Sequence, residues 1–268
     1  MTKLRTAVAL LCLCACSPER EAIDLDAYER KGFSQFGEEG VLEKIFEIIP
    51  PTARYAVEFG AVDGLENSNT RNLIAKKGWG SLQIEGDPRK SAALKRLYRD
   101  NPKVTAMEAW VFPGNIEILF EEAGVPEDFD LLVIDIDSND YYVWKAIHDF
   151  RPKVVMLEAN KSFPPPQLAV VDFHPMNYWD RTQYHGASLQ SMYKLGKQKG
   201  YELVHAMRKG PNIILVDKIY YDRFGIEDNS PITMWHPALR GNPLVQPRGR
   251  KKLRINAFEI EKKWVRGR

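Results

Sequence analysis

Three short runs combine carboxylates with glycines or amides in ways that suit binding chemistry. The first, Val57-Glu58-Phe59-Gly60-Ala61-Val62-Asp63-Gly64, sets an acidic residue ahead of two glycines four positions apart. Gly60 and Gly64 carry no Cβ and admit positive φ, so the backbone there can come close to a ligand. A dinucleotide fingerprint needs Gly-x-Gly-x-x-Gly and a helix N-terminus for pyrophosphate. That spacing is absent, the run holds no lysine, and the carboxylates of Glu58 and Asp63 suit a cationic, phosphate-free ligand. The second run, Leu82-Gln83-Ile84-Glu85-Gly86-Asp87-Pro88, ends in a carboxylate, Glu85, placed to accept from both hydroxyls of a ribose. Asp87 ahead of Pro88 reads as a helix N-cap with proline at the first helical position.

The third run, Leu131-Leu132-Val133-Ile134-Asp135-Ile136-Asp137-Ser138-Asn139-Asp140, is an apolar strand that opens into polar residues. Alternation puts Asp135 and Asp137 on one side, where two anions repel unless a divalent cation, a substrate hydroxyl or a proton joins them. Glu158-Ala159-Asn160-Lys161 follows the next apolar segment and adds a carboxylate and an amide. Oxygen ligands from neighbouring strand ends suit magnesium, with Asp137 and Asn160 as its ligands. In the metal-free reading Asp135 and Asn160 brace their loops and Lys161 neutralises a carboxylate. Asp137 is the first candidate for a catalytic role, taking the proton of an acceptor hydroxyl or holding that hydroxyl in line. Residues 162–187 are rich in aromatic and proline residues, among them Phe173, Tyr178, Trp179 and Tyr184, and read as a lid or binding loop. His174 and His185 within it are candidate general bases near neutral pH.

The elements that position these runs follow from periodicity. Val41, Leu42, Ile45, Phe46 and Ile49 stand at helical spacing before Pro50-Pro51, which predicts a helix that stops there. Strands are predicted at 55–59, 81–84, 104–110, 131–136, 154–157, 201–207 and 212–217. Helices are predicted at 70–77, 88–100, 116–123, 141–150 and 188–199. Alternation at this pitch means an α/β fold, a mostly parallel seven-stranded sheet with helices on both faces. Ligands of such sheets sit beyond the carboxyl ends of the strands, where the strand order reverses, and that is where the three runs fall.

Glu58 to Gly64, the upstream Ser34-Gln35-Phe36-Gly37-Glu38-Glu39, and Asp135-Ile136-Asp137-Ser138-Asn139-Asp140 together resemble the FkbM-type methyltransferases, over roughly residues 32–224. The family often has Asp at the Glu58 position and Glu-Gly where this chain has Asp137-Ser138. The resemblance implies a class I methyltransferase (Rossmann-like) fold and O-methylation of a hydroxyl on a small molecule or sugar. S-adenosylmethionine carries a sulfonium and an amino group, which the Glu58 or Asp63 carboxylate can hold. The donor-site candidates are Gln35, Glu58, Gly60, Asp63, Gly64, Glu85 and Asp135. Asp137, His174 and His185 stand on the acceptor side, and magnesium is a candidate cofactor.

All three cysteines, Cys12, Cys14 and Cys16, precede the body, so the body holds neither a disulfide nor a cysteine-ligated zinc site. Lys3 and Arg5 followed by an apolar stretch too short to span a bilayer have the order of a secretory signal. Leu13-Cys14-Ala15-Cys16 resembles a lipobox ending in a lipid-modified cysteine. The expected organisation is a signal or lipoprotein-type segment at 1–16, a linker at 17–26, a methyltransferase-like domain at 27–238 and a basic tail at 239–268. Two locations follow: a membrane-anchored bacterial lipoprotein held through Cys16, or the cytoplasm, where methyl donor is made. The first brings a second functional class, an anchored non-catalytic binding protein on the same fold. The tail carries net charge +8 against −6 for the rest. Such runs are most often solvated, and no nucleic-acid partner is expected.

Overall fold

The computed structural model describes residues 22–237 except positions 176 and 178. The signal-type segment, linker residues 17–21 and the basic tail lie outside the described residues. No helix among those described is long and apolar enough to cross a membrane.

Seven strands form one sheet in the order β3-β2-β1-β4-β5-β7-β6. They are β1 (Tyr55–Phe59), β2 (Gly80–Glu85), β3 (Val104–Glu108), β4 (Leu131–Ile134), β5 (Val154–Glu158), β6 (Tyr201–Ala206) and β7 (Asn212–Asp217). β1 to β5 pair in parallel, and β7 runs antiparallel between β5 and β6. One reversed strand makes this seven-stranded Rossmann-like sheet mixed, where the sequence reading expects a mostly parallel one.

Helices α1 (Glu38–Ile48), α2 (Arg71–Lys77), α3 (Pro88–Tyr98), α4 (Ile116–Glu122), α5 (Asp140–Ala146), α6 (Leu189–Lys199) and α7 (Pro231–Met234) complete the domain. Strand alternation divides the core in two. Val57, Phe59, Leu82, Ile84, Leu132, Ile134, Val155 and Leu157 pack with α4, α5 and α6. Ala56, Leu131, Val133, Val154 and Met156 pack with α1 and with Leu73 of α2. Right-handed crossovers require this division, because the chain leaves β1 in one direction through β2 and β3 and returns in the other through β4 and β5. Each fully buried aliphatic or aromatic side chain contributes about 1.5–3 kcal/mol. Phe120 anchors one face, stacked on Phe59 at 5.8 Å and edge-on to Phe150 at 4.9 Å.

Local chemistry sets the ends. Asp87 caps α3 as expected, its Oδ1 accepting from the amides of Arg89 and Lys90 at 2.8 and 3.1 Å. β4 and α5 are among the elements shorter than their periodicity suggests. β4 stops at Ile134 because Asp140 collects the amides of Ile136 and Ser138 at 3.3 and 3.1 Å and bends the chain away. α5 stops at Ala146, and the amides of His148 and Asp149 turn to Glu117 instead. The body also begins before residue 27. Leu25 is buried in a 3-10 turn, Leu25–Tyr28, and the Ile23 amide bonds the Phe224 carbonyl at 3.0 Å.

Candidate active site

The carboxyl ends of β1 and β4, which lie side by side, are the switch point of the sheet. Glu58 alternates away from Phe59 onto the face of α1 and α2. It is buried there, and both of its oxygens are taken. Oε1 accepts from the Asn69 amide at 2.8 Å, and Oε2 accepts from the Ser68 and Thr70 hydroxyls at 2.9 and 2.5 Å. Burial raises its pKa while those three bonds pull it down. Glu58 therefore braces the loop into α2 rather than presenting a free carboxylate. Asp63 is spent in the same way, closing a turn on the amides of Leu65 and Glu66 at 2.9 and 3.2 Å. The glycines also answer to protein contacts. A Cβ on Gly60 would stand 1.8 Å from the Asp135 carbonyl oxygen, and one on Gly64 would press into Leu94, Leu97 and Tyr98.

At the end of β2, Glu85 is buried with its carboxylate turned back over the β1 loop. It accepts from Val62 N at 2.9 Å and from Asp87 N at 2.7 Å. Each oxygen keeps a second lone pair for a ligand hydroxyl. Trp110 stands just beyond the end of β3. It is 52% exposed, and a Cβ on Gly86 would touch its ring at 3.1 Å. An indole face thus lies open beside the ribose-type carboxylate.

The β4 loop gathers the charge. Asp140 holds the loop closed, and Asp137 projects from it at a left-handed φ of +64°. Oxygens of Asp135, Asp137 and Glu158 all lie within 4.8 Å of one another. Burial, then the repulsion of Asp140 and Asp137, raises Asp135 well above the usual carboxylate range. Burial and Asp135 do the same to Glu158. Asp140 is pushed up to about 7, first by burial. Asp137, though exposed, is raised by desolvation at the loop walls, with Lys90 opposing and Glu85 adding. Ser138 Oγ and Asn139 Oδ1 are buried and have no partner among the described residues, a state that water or a ligand ordinarily relieves.

Asn160 is not part of this group. Its Nδ2 donates to the carbonyls of Gln183 and His185 at 2.9 and 2.8 Å, and its Oδ1 accepts from Ser162 N at 2.9 Å. It staples the loop of residues 162–187, and Glu158 supplies the β5 carboxylate in its place. Lys161 neutralises no carboxylate in the cluster. Its Nζ bonds the Met207 carbonyl at 2.5 Å, and burial brings its pKa down to about 8.

Residues 162–187 are pinned at their base by the Val170–Ala187 bridge and by Tyr142, whose hydroxyl donates to the Val171 carbonyl at 2.8 Å. His174 is exposed, and its carbonyl accepts from Asn139 Nδ2 at 2.9 Å, which brings it to the β4 loop. His185 packs by Trp179, and burial lowers its pKa to about 4. At neutral pH it is a neutral ring with little appetite for a proton, so it suits general-base work less than its residue type suggested. Gln35 is exposed on the loop before α1. Its neighbour Glu38 is buried and bonds Asn212 at the start of β7, opposite Glu158. Asp135, Asp137, Asp140, Glu158 and Glu85 thus meet at one edge, with Gln35 and the two histidines on its surrounding loops.

No family model matches the sequence, and no curated protein matches it. Solved structures with a similar course of chain are methyltransferases, at low identity. The N-terminal domain of EvdMO1, in the presence of SAH and D-fucose, is 14% identical with TM-score 0.44, over 67% of this chain and 82% of that one. The citrinin polyketide synthase CMeT domain is 14% identical with TM-score 0.43, over 67% of this chain and 51% of its own. The methyltransferase domain of bacterial CtHen1 is 12% identical with TM-score 0.40, over 66% and 95%.

Proposed function

We propose that this protein is an S-adenosylmethionine-dependent methyltransferase that methylates a hydroxyl of a small molecule or sugar, as the FkbM-type resemblance implies. The observation that carries the reading is the acidic edge at the switch point, where Asp135, Asp137, Asp140 and Glu158 crowd beside Glu85. A sulfonium and an ammonium relieve like-charge crowding, whereas a polyphosphate would add to it. Bound donor supplies an electrophilic methyl group. Glu85 accepts from ribose hydroxyls, Trp110 offers a flat apolar face to the purine, and the unpartnered Ser138 and Asn139 atoms supply polar contacts.

Asp137 accepts the hydrogen bond of the acceptor hydroxyl and takes the proton its oxygen loses on methylation. Its raised pKa moves it toward the working pH, as a general base requires. His174, on the lid beside the β4 loop, is the second candidate for that proton. A magnesium ion, where the reaction uses one, would be held by Asp135, Asp137 and Glu158, and would orient the hydroxyl.

Calorimetric titration with S-adenosylmethionine tests the donor site. Saturable binding is expected, weakened by about 1.5–3 kcal/mol in Glu85→Gln, the range for a hydrogen bond to a charged group. Absence of binding by the folded protein would favour the anchored, non-catalytic alternative. The location proposed with it is a lipoprotein held through Cys16, with the cytoplasm as the alternative.

A further inference from the structure

We propose that Asp26, His205 and His236 form a binding site for a divalent transition-metal ion of the zinc type, with Glu29 orienting His205. The site lies apart from the acidic edge. It joins the N-terminal 3-10 turn, β6 and the segment that follows α7, and no step of the proposed reaction uses it.

The strand itself aims His205. Pairing of β6 with β7 slips between Leu203 and His205, so Val204 is an extra residue in the ladder. Leu203 and Val204 pack into opposite halves of the core. Without the bulge His205 would follow Leu203. With it, the ring turns to the N-terminal segment, where it is 3% exposed. Bulges often re-aim a side chain beside a functional site.

Both ring nitrogens then meet carboxylates. Nε2 lies 3.2 Å from Glu29 Oε1, a hydrogen bond that places the ring proton on Nε2. Nδ1 faces Asp26 Oδ1 at 3.7 Å. His236 Nε2 faces that same oxygen at 3.8 Å. Neither contact is a hydrogen bond. Both are near the separation of about 3.3 Å between two ligands of one tetrahedral ion with bonds of about 2.0 Å. Asp26 Oδ1 is the atom the two rings share, and a cation bound to it takes the His205 and His236 nitrogens as the rings close on it. A histidine ligand whose other nitrogen donates to a carboxylate is the usual second-shell arrangement of such centres, and Glu29 is further fixed by the Arg208 amide at 2.8 Å.

The donor set of one oxygen and two imidazole nitrogens selects zinc-type ions over magnesium or calcium. The cations nearby leave the place open. Arg208 Nε lies 3.6 Å from the other oxygen of Asp26 on an exposed side chain, and Lys161 is occupied by the Met207 carbonyl. Held there, the ion would clip residues 22–29 and 235–237 onto the edge of the sheet.

The test uses the full chain with its three cysteines alkylated, so that thiolates cannot bind metal. After treatment with chelator it is titrated with zinc chloride, and separately with cobalt chloride to read geometry from the visible spectrum. One zinc per chain is expected, with a higher melting temperature in its presence. Glu29→Gln should weaken binding about 10–100-fold. His236→Ala should weaken it at least tenfold, and its partly exposed side chain makes this variant the safest to fold. His205→Gln should abolish binding. No stoichiometric zinc, or wild-type affinity in His236→Ala, would overturn the site. Loss of the bound zinc in Asp137→Asn would overturn it too, by moving the ion to the acidic edge.

Discussion

Asp137 pays for its position twice, in backbone conformation and in charge. An L residue at φ +64° is held against a local preference of about 1 kcal/mol, and the side chain adds a negative charge to a group already crowded. Asp137→Asn keeps the shape and removes the charge. It should weaken donor binding far less than turnover, since three carboxylates of the acidic edge remain, lower turnover of the true acceptor by about 10²–10⁴, and raise stability by about 1 kcal/mol, the scale of one screened pair. Turnover measured beside urea unfolding checks both signs, and wild-type turnover would move the base to His174. Asp140 has a pH signature of its own. With its pKa up at about 7, the folded chain keeps a proton that the unfolded chain releases near pH 4. Stability from this group therefore falls as pH rises between about 4 and 7, and is constant above. His185, lowered to about 4, acts oppositely, adding stability as pH rises between about 4 and 6.5. Asp140→Asn removes only the first effect. Its stability relative to wild type should climb from pH 4 to 7 and then level. Parallel profiles would show that another carboxyl holds the proton.

At the scale of elements, the β1 and β4 loops work as one unit because their backbones touch. Gly60, at φ +69°, leaves no room for a Cβ beside the Asp135 carbonyl. Gly78 has a similar φ of +67° with open space around it. Gly60→Ala should cost about 3 kcal/mol, overlap added to backbone strain, whereas Gly78→Ala should cost only about 1 kcal/mol. Equal losses in urea unfolding would refute the close approach. The glycines were visible in the sequence, but not their reason. Gly60 reads as room for a ligand, and the structure fills that room with the neighbouring loop.

At the scale of the whole molecule, the described body is a mixed seven-stranded sheet covered by helices, and its location is a matter for the residues before it. If Leu13-Cys14-Ala15-Cys16 is read as a lipobox, the native protein begins at acylated Cys16 and partitions with membranes. Mass spectrometry of the native N-terminus should find the lipid there, and an unmodified N-terminus in a soluble fraction would reject anchoring. The order of strands and helices along the chain, and the strand ends that carry the candidate residues, were legible from sequence alone. Side-chain periodicity reports which face of an element is buried, and crossover handedness then leaves few ways to assemble the sheet. Periodicity carries no record of long-range partners. That Glu58 is consumed by Ser68, Asn69 and Thr70, that Asn160 staples the 162–187 loop while Glu158 joins Asp135 across more than twenty positions, and that a bulge turns His205 to Asp26, were decided only by tertiary structure. A polar side chain takes its role from whatever donor or charge folding brings within about 3 Å, and neighbours in the chain do not determine that partner.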